Sequence, residues 1–139
     1  MARLAYNGPD GLPRVVPVGF HWNGERIVVS TASTAPKARA LAARPQVALT
    51  LDSGTTPEEA KALLVRGLAV LETVDGVSEE YLASARNSMQ GAQLAEFERN
   101  VRATYKQMVR IAIEPTWARF YDFGAGRLPT FLAALVNDR

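Results

Sequence analysis

The sequence predicts a mainly β chain: about six antiparallel strands closed into a small barrel, with two or three short helices. Three observations carry this expectation. β-branched and apolar residues recur in short runs punctuated by turn formers, at 14–20, 26–31 and 46–51. Asn23-Gly24 stands between the first two runs, the strongest short hairpin signal a chain can carry. A longer run at 61–73 holds Gly67 in its interior, where a glycine lets a strand bend round a corner. A sheet with one apolar face must bury it, and closing the sheet removes its edges.

Taken in order, the chain opens on MARLAY and a cluster of turn formers, Asn7-Gly8-Pro9-Asp10-Gly11, with the first strand placed after it. That strand, 14–20, is dense in Val15, Val16 and Val18 but contains Pro17. Proline cannot donate to a ladder, so the strand belongs at an edge or at a bulge. After the hairpin, Pro36 suits the first turn of a helix over 37–43, with Ser33 or Thr34 as its cap. Arg44-Pro45 ends it, because the residue before a proline avoids helical geometry. A strand at 46–51 and the long strand at 61–73 follow. Ser78, with Glu79 and Glu80 in the first turn, opens a helix to about residue 87. Leu94, Phe97, Val101 and Tyr105 recur near helical spacing and predict a second helix over 92–105. Residues 107–114 alternate as a strand, Pro115 interrupts it, and the aromatic run 117–123 makes another. The apolar tail, 128–136, has no assigned structure and is expected to dock on the barrel or on a second subunit.

A chain of 139 residues fits one domain, 1–139, around one core. With 47% apolar and 22% charged residues it is not a disordered chain. The absence of cysteine excludes disulfides, thiolate metal sites and cysteine nucleophiles, and it fits a reducing, cytoplasmic setting. No membrane-spanning run and no signal peptide are read. The net charge is +2, with the positive residues scattered, so no nucleic-acid partner is expected. The single histidine, His21, has no neighbour that would complete a triad or a metal set.

Lys37 is the sharpest single residue. It is one of three lysines and falls at a helix start, where free backbone N–H groups attract an anion. A cation at that end is unfavourable unless an anion compensates it. Ser30, Thr31, Ser33 and Thr34 crowd hydroxyls beside it, and Arg14 on the neighbouring strand could reach the same corner. Together these groups would hold a phosphate through charge-assisted bonds. The aromatic run with Trp117, Phe120, Tyr121 and Phe123 packs as core or interface, or forms a wall for a planar ring, with Tyr105 and Met108 adding to the same surface.

The order of these elements, GLPRVVPVGF, NGERIVVST, STAPKARALAARPQVAL, VRGLAVLE and MVRIAIEP, resembles the flavin-binding split-barrel family founded on pyridoxamine 5'-phosphate oxidase. The resemblance implies a homodimeric split β-barrel with FMN, or alternatively the deazaflavin coenzyme F420, in clefts between the subunits. Carried over by position, the flavin ring would lie beside the backbone of Arg14, Val15, Val16, Pro17 and Val18. Ser30, Thr31, Ser33 and Lys37 would hold the phosphate, and Trp117 of a second subunit would close the pocket. The implied activity is hydride transfer to a small organic molecule, or flavin binding without turnover. The arginine–histidine motif with which the oxidase binds its substrate has no counterpart here, which points away from pyridoxamine phosphate itself. Members usually carry a further strand ahead of the glycine-rich turn, so that strand is expected to be short or absent.

Overall fold

The computed structural model describes residues 1–137. Seven strands form one antiparallel sheet in the order β2-β1-β5-β6-β7-β4-β3. In chain order they are β1 (Ala2–Asn7), β2 (Pro13–Val18), β3 (His21–Trp22), β4 (Ile27–Ala32), β5 (Gln46–Ser53), β6 (Lys61–Asp75) and β7 (Gln107–Asp122). Four helices accompany them: α1 (Pro36–Ala43), α2 (Glu79–Ala85), α3 (Gly91–Thr104) and α4 (Thr130–Asn137).

The expected closed barrel is not formed. β2 pairs only with β1, and β3 only with β4, so the sheet is open at both edges. The alternating antiparallel order makes β2 and β3 run in the same direction. Only Gly19 and Phe20 separate them, and a parallel ladder needs a crossover of about a dozen residues. The chain therefore steps from one edge of the sheet to the other without closing it. The sheet nonetheless curls, because Val18 on one edge strand shares a core with Ile27 and Val29 near the other edge.

Several expectations are corrected in detail. The strand thought short or absent is β1, which lies between β2 and β5. Its ARLAYN alternates, with Ala2, Leu4 and Tyr6 buried against the core. The two late strands are one, β7, and Pro115 sits inside it. A register shift opposite Arg66 and Gly67 leaves Thr116 as an extra residue, so the ladder absorbs the proline at a bulge. α1 begins at Pro36 as expected, but its N-cap is Ala35 and no side chain caps it. The hairpin does not join the strand at 14–20 to β4: that strand is β2, paired with β1 at the opposite edge, and the loop from Asn23 to Arg26 instead joins His21–Trp22 to β4, held by Asn23 Oδ1 accepting from the N–H groups of Glu25 and Arg26 at 2.9 and 2.8 Å. Pro17 does lie on an edge strand, and Ser78 does cap α2, accepting from the Tyr81 N–H at 3.2 Å.

The main core joins Leu4, Leu49, Val65, Ile111 and Ile113 of the sheet to Ala38 and Leu41 of α1. A second cluster, with Val77, Leu82, Val101 and Met108, lies under α2 and α3 on the other face of β7. Adjacent residues Met108 and Val109 thus feed different clusters, as the two-residue period of a strand requires.

Candidate functional site

α1 packs on β1 and β6, with its first turn directly after the end of β4. Lys37 sits in that first turn, half-buried. Among the described residues it makes no ion pair. Desolvation alone holds its pKa below 10.5. A cation at the positive end of a helix, partly out of water and without a counter-ion, is an unfavourable arrangement that an anion would relieve.

The hydroxyls around it divide. Ser30 and Thr31 are neighbours on a strand and so point to opposite faces. Thr31 lies opposite core-facing Val109, on the side that α1 covers. Ser30 lies opposite Arg110 and is tied to the α2 cap, Oγ to Ser78 Oγ at 2.6 Å. Arg110 in turn donates to Glu80 at 2.7 Å. Burial pushes the Glu80 carboxyl up, but the Arg110 hydrogen bond and charge outweigh it and leave the pKa below 4.5. Ser33 and Thr34 face a shallow polar hollow of about 640 Å³ that also meets Lys106, Asp75 and Tyr105. Lys37 stays outside that hollow. Lys106 is a cation the sequence did not single out, because its strand-end position becomes a neighbour of Ser33 only when β4 and β7 pair.

Arg14 does not join Lys37. Its guanidinium bonds Asp10 at 2.9 Å and lies against Gly8, where a Cβ would come within 2.8 Å of it. That turn belongs to the far end of α1, since Arg44 just beyond the helix reaches the Pro9 carbonyl. The eight residues of α1 span about 12 Å. On β2, Val16 and Val18 turn to the core, whereas Val15 and Pro17 face outward. Among the described residues β2 pairs with β1 alone, which leaves its backbone unpaired along one side.

Val15 and Trp117, expected to meet across a dimer, share one face of the same chain. The register places Val15, Ala5, Ala48, Arg66 and Trp117 in a row across five strands. A hollow of about 200 Å³ lies on this row, lined also by Arg3 and Leu64. Arg66 and Arg119 stand over the Trp117 ring, 4.1 and 4.9 Å from its centre. Tyr105 and Met108 are not on this surface. They belong to the second cluster, where Tyr105 meets Tyr81 edge to face at 6.3 Å.

The family described as pyridoxamine 5'-phosphate oxidase matches residues 1–121. The chain belongs to this family. No curated protein matches it. Among solved structures, a conserved hypothetical protein from Mycobacterium tuberculosis is 20% identical, with a TM-score of 0.70 over 92% of this chain and 80% of that one. An F420 reductase is 24% identical, with a TM-score of 0.57 over 85% and 87% of the two chains. The heme storage protein HutZ from Vibrio cholerae is 22% identical, with a TM-score of 0.60 over 89% and 87%. At these identities the likeness is one of fold. No described helix is long and apolar enough to cross a membrane.

Proposed function

We propose that this member of the pyridoxamine 5'-phosphate oxidase family binds FMN and transfers hydride between it and a small organic molecule, as a homodimer with the cofactor between subunits. The observation that carries the reading is Lys37: half-buried, desolvated, at a helix start and without a carboxylate partner among the described residues. By resemblance it matches the position at which the family holds a cofactor phosphate. Thr31 lies on the same side of the sheet, and Ser33 stands just before the helix. These groups suit a phosphate, which can take the helix N–H groups and the ammonium together.

In this arrangement Lys37 and Thr31 anchor the phosphate on the side of the sheet that α1 covers. The free edge of β2, from Arg14 to Val18, offers backbone groups to a flat ring, and Ser30 steadies the end of β4 through Ser78. Arg14, held by Asp10, stiffens the turn that leads into that edge. Trp117, under its two arginines, presents an apolar, cationic face to a second copy. When bound, the flavin supplies the hydride chemistry at its N5, and the chain supplies placement and exclusion of water.

F420 is the second reading, favoured by the F420 reductase among the fold relatives. It too carries a phosphate for Lys37. A flavin-binding protein without turnover is the third, and a heme storage protein occurs among the fold relatives. Fluorescence titration of the purified protein with FMN and with F420 separates the first two. Lys37→Ala is expected to weaken binding of the preferred cofactor by about 1–3 kcal/mol, with an unchanged circular dichroism spectrum. Equal affinity in the variant would remove Lys37 from the site. Reoxidation of the reduced, bound cofactor by quinones and enones, no faster than free cofactor, would leave binding alone.

A further inference from the structure

We propose that the outward face of the sheet at Arg66 binds a small planar carboxylate, an aromatic or otherwise conjugated acid. The row Val15, Ala5, Ala48, Arg66 and Trp117 crosses neighbouring strands from β2 to β7. Its alanines carry only methyl groups, so the row dips between Val15 and Arg66. Neighbouring strands lie about 4.8 Å apart, so the steps from Val15 to Arg66 cover about 14 Å. The result is a flat, apolar floor long enough for one or two fused rings. The hollow of about 200 Å³ lies on this floor, and another of about 450 Å³ adjoins it at the bulge, sharing Ala5, Ala48 and Arg66.

Arg66 supplies the polar group that orients a ligand on this floor. Its guanidinium stands 4.1 Å from the centre of the Trp117 ring, and that of Arg119 stands 4.9 Å from the same centre. Neither arginine makes an ion pair among the described residues. No carboxylate lines either hollow, and Arg3, the other cation there, is already bound to Asp52 at 2.9 Å. Two like charges over one indole repel each other, and an anion beside them relieves the repulsion. A guanidinium is a planar fork that meets a carboxylate through two parallel N–H bonds. A carboxylate conjugated to a ring shares its plane, so one flat molecule can rest on the alanines and meet the fork edge-on. Ligand sites join apolar walls to a few such polar groups. The floor lies on the opposite face of the sheet from α1 and Lys37. Leu4, Leu49 and Val65 turn to the core with α1, so their neighbours Ala5, Ala48 and Arg66 turn away. A second copy on this face, as proposed above, would close the floor into a cleft.

This site does not depend on the cofactor reading, so FMN titration and the following experiment can fail independently. The full, cofactor-free chain is titrated by calorimetry with trans-cinnamate and with cinnamamide, its uncharged counterpart of the same shape. Cinnamate is expected to bind about tenfold tighter, the worth of a charge-assisted hydrogen bond. The chain holds two tryptophans, so Trp22→Phe leaves Trp117 as the sole indole and Trp117→Phe leaves Trp22. Cinnamate is expected to quench the emission of Trp117 and not that of Trp22. Arg66 is exposed, and Arg66→Gln is expected to remove the preference for the acid with an unchanged urea midpoint, while Arg66→Lys restores part of it. Equal affinity for acid and amide in the wild-type chain, binding of neither, or quenching confined to Trp22 overturns the proposal. A preference that survives Arg66→Gln overturns it as well.

Discussion

Lys37 shows how a single residue can be poorly placed for folding and yet suit the proposed phosphate site. Its pKa in the folded chain lies below 10.5 because burial penalises the charge. The unfolded chain therefore holds that proton more tightly. Below the folded pKa the charge lowers stability, and the penalty fades as pH rises through the folded value toward 10.5. Lys37→Met removes the penalty. Urea denaturation of the cofactor-free protein is expected to find the variant at least as stable as wild type at pH 7, with any advantage shrinking by pH 10.5. A variant less stable at pH 7 would mean that Lys37 has a protein partner. Phosphate binding favours the charged form, so affinity for FMN is expected to fall as pH rises through the alkaline range. The same residue thus links the energetics of the apo fold to the proposed site.

Gly67 decides the course of the two longest strands. β6 and β7 pair along their lengths, and the register shift between Arg66 and Gly67 lets Pro115 and Thr116 pass without ending the sheet. The backbones approach closely there: a Cβ on Gly67 would lie 2.5 Å from the Glu114 carbonyl oxygen and 2.9 Å from Ile113 Cγ2. Gly67→Ala is expected to destabilise the protein by about 1–3 kcal/mol, read as a lower urea midpoint. An unchanged midpoint would show that the bulge relaxes without strain. The bulge also sets the outward row that carries Arg66 and Trp117, so its geometry reaches from strand pairing to the candidate interface.

At the scale of the molecule, α1 is the piece that ties the sheet to the site. Leu41 is 1% exposed and packs with core residues of the sheet, while four residues earlier Lys37 stands at the helix start. Leu41→Ala is expected to cost about 2–5 kcal/mol by cavity formation and to loosen α1 on the sheet. FMN affinity measured at a temperature where the variant is still folded is expected to drop as well, because the helix N–H groups lose their fixed position. Loss of stability with full affinity would separate the helix packing from the phosphate corner. The open sheet has the same reach. β2 keeps an unpaired edge among the described residues, and an apolar hollow opens beside β3.

Most strands are legible in the sequence, because burial on one face writes a period of two into a run such as 46–51. The edge position of Pro17, the bulge at Gly67 and the Ser78 cap are local chemistry, and local chemistry is visible in sequence; the turn at Asn23-Gly24 is visible too, but not that it joins His21–Trp22 rather than the strand at 14–20 to β4. β1 is not legible although ARLAYN alternates, since six residues hard against a turn cluster carry too little pattern to stand out. α4 has no assignment from sequence because an apolar run without polar spacing looks alike as strand or helix. By itself the sequence determined the family, the strand count to within one, and Lys37 as a cation at a helix start. Only the tertiary structure decided that Arg14 stands apart from Lys37, that Ser30 and Thr31 turn to opposite faces, that Val15 and Trp117 share one surface, and that the sheet stays open. Those are distances between residues far apart in the chain, set by strand register and packing rather than by any stretch of neighbouring residues.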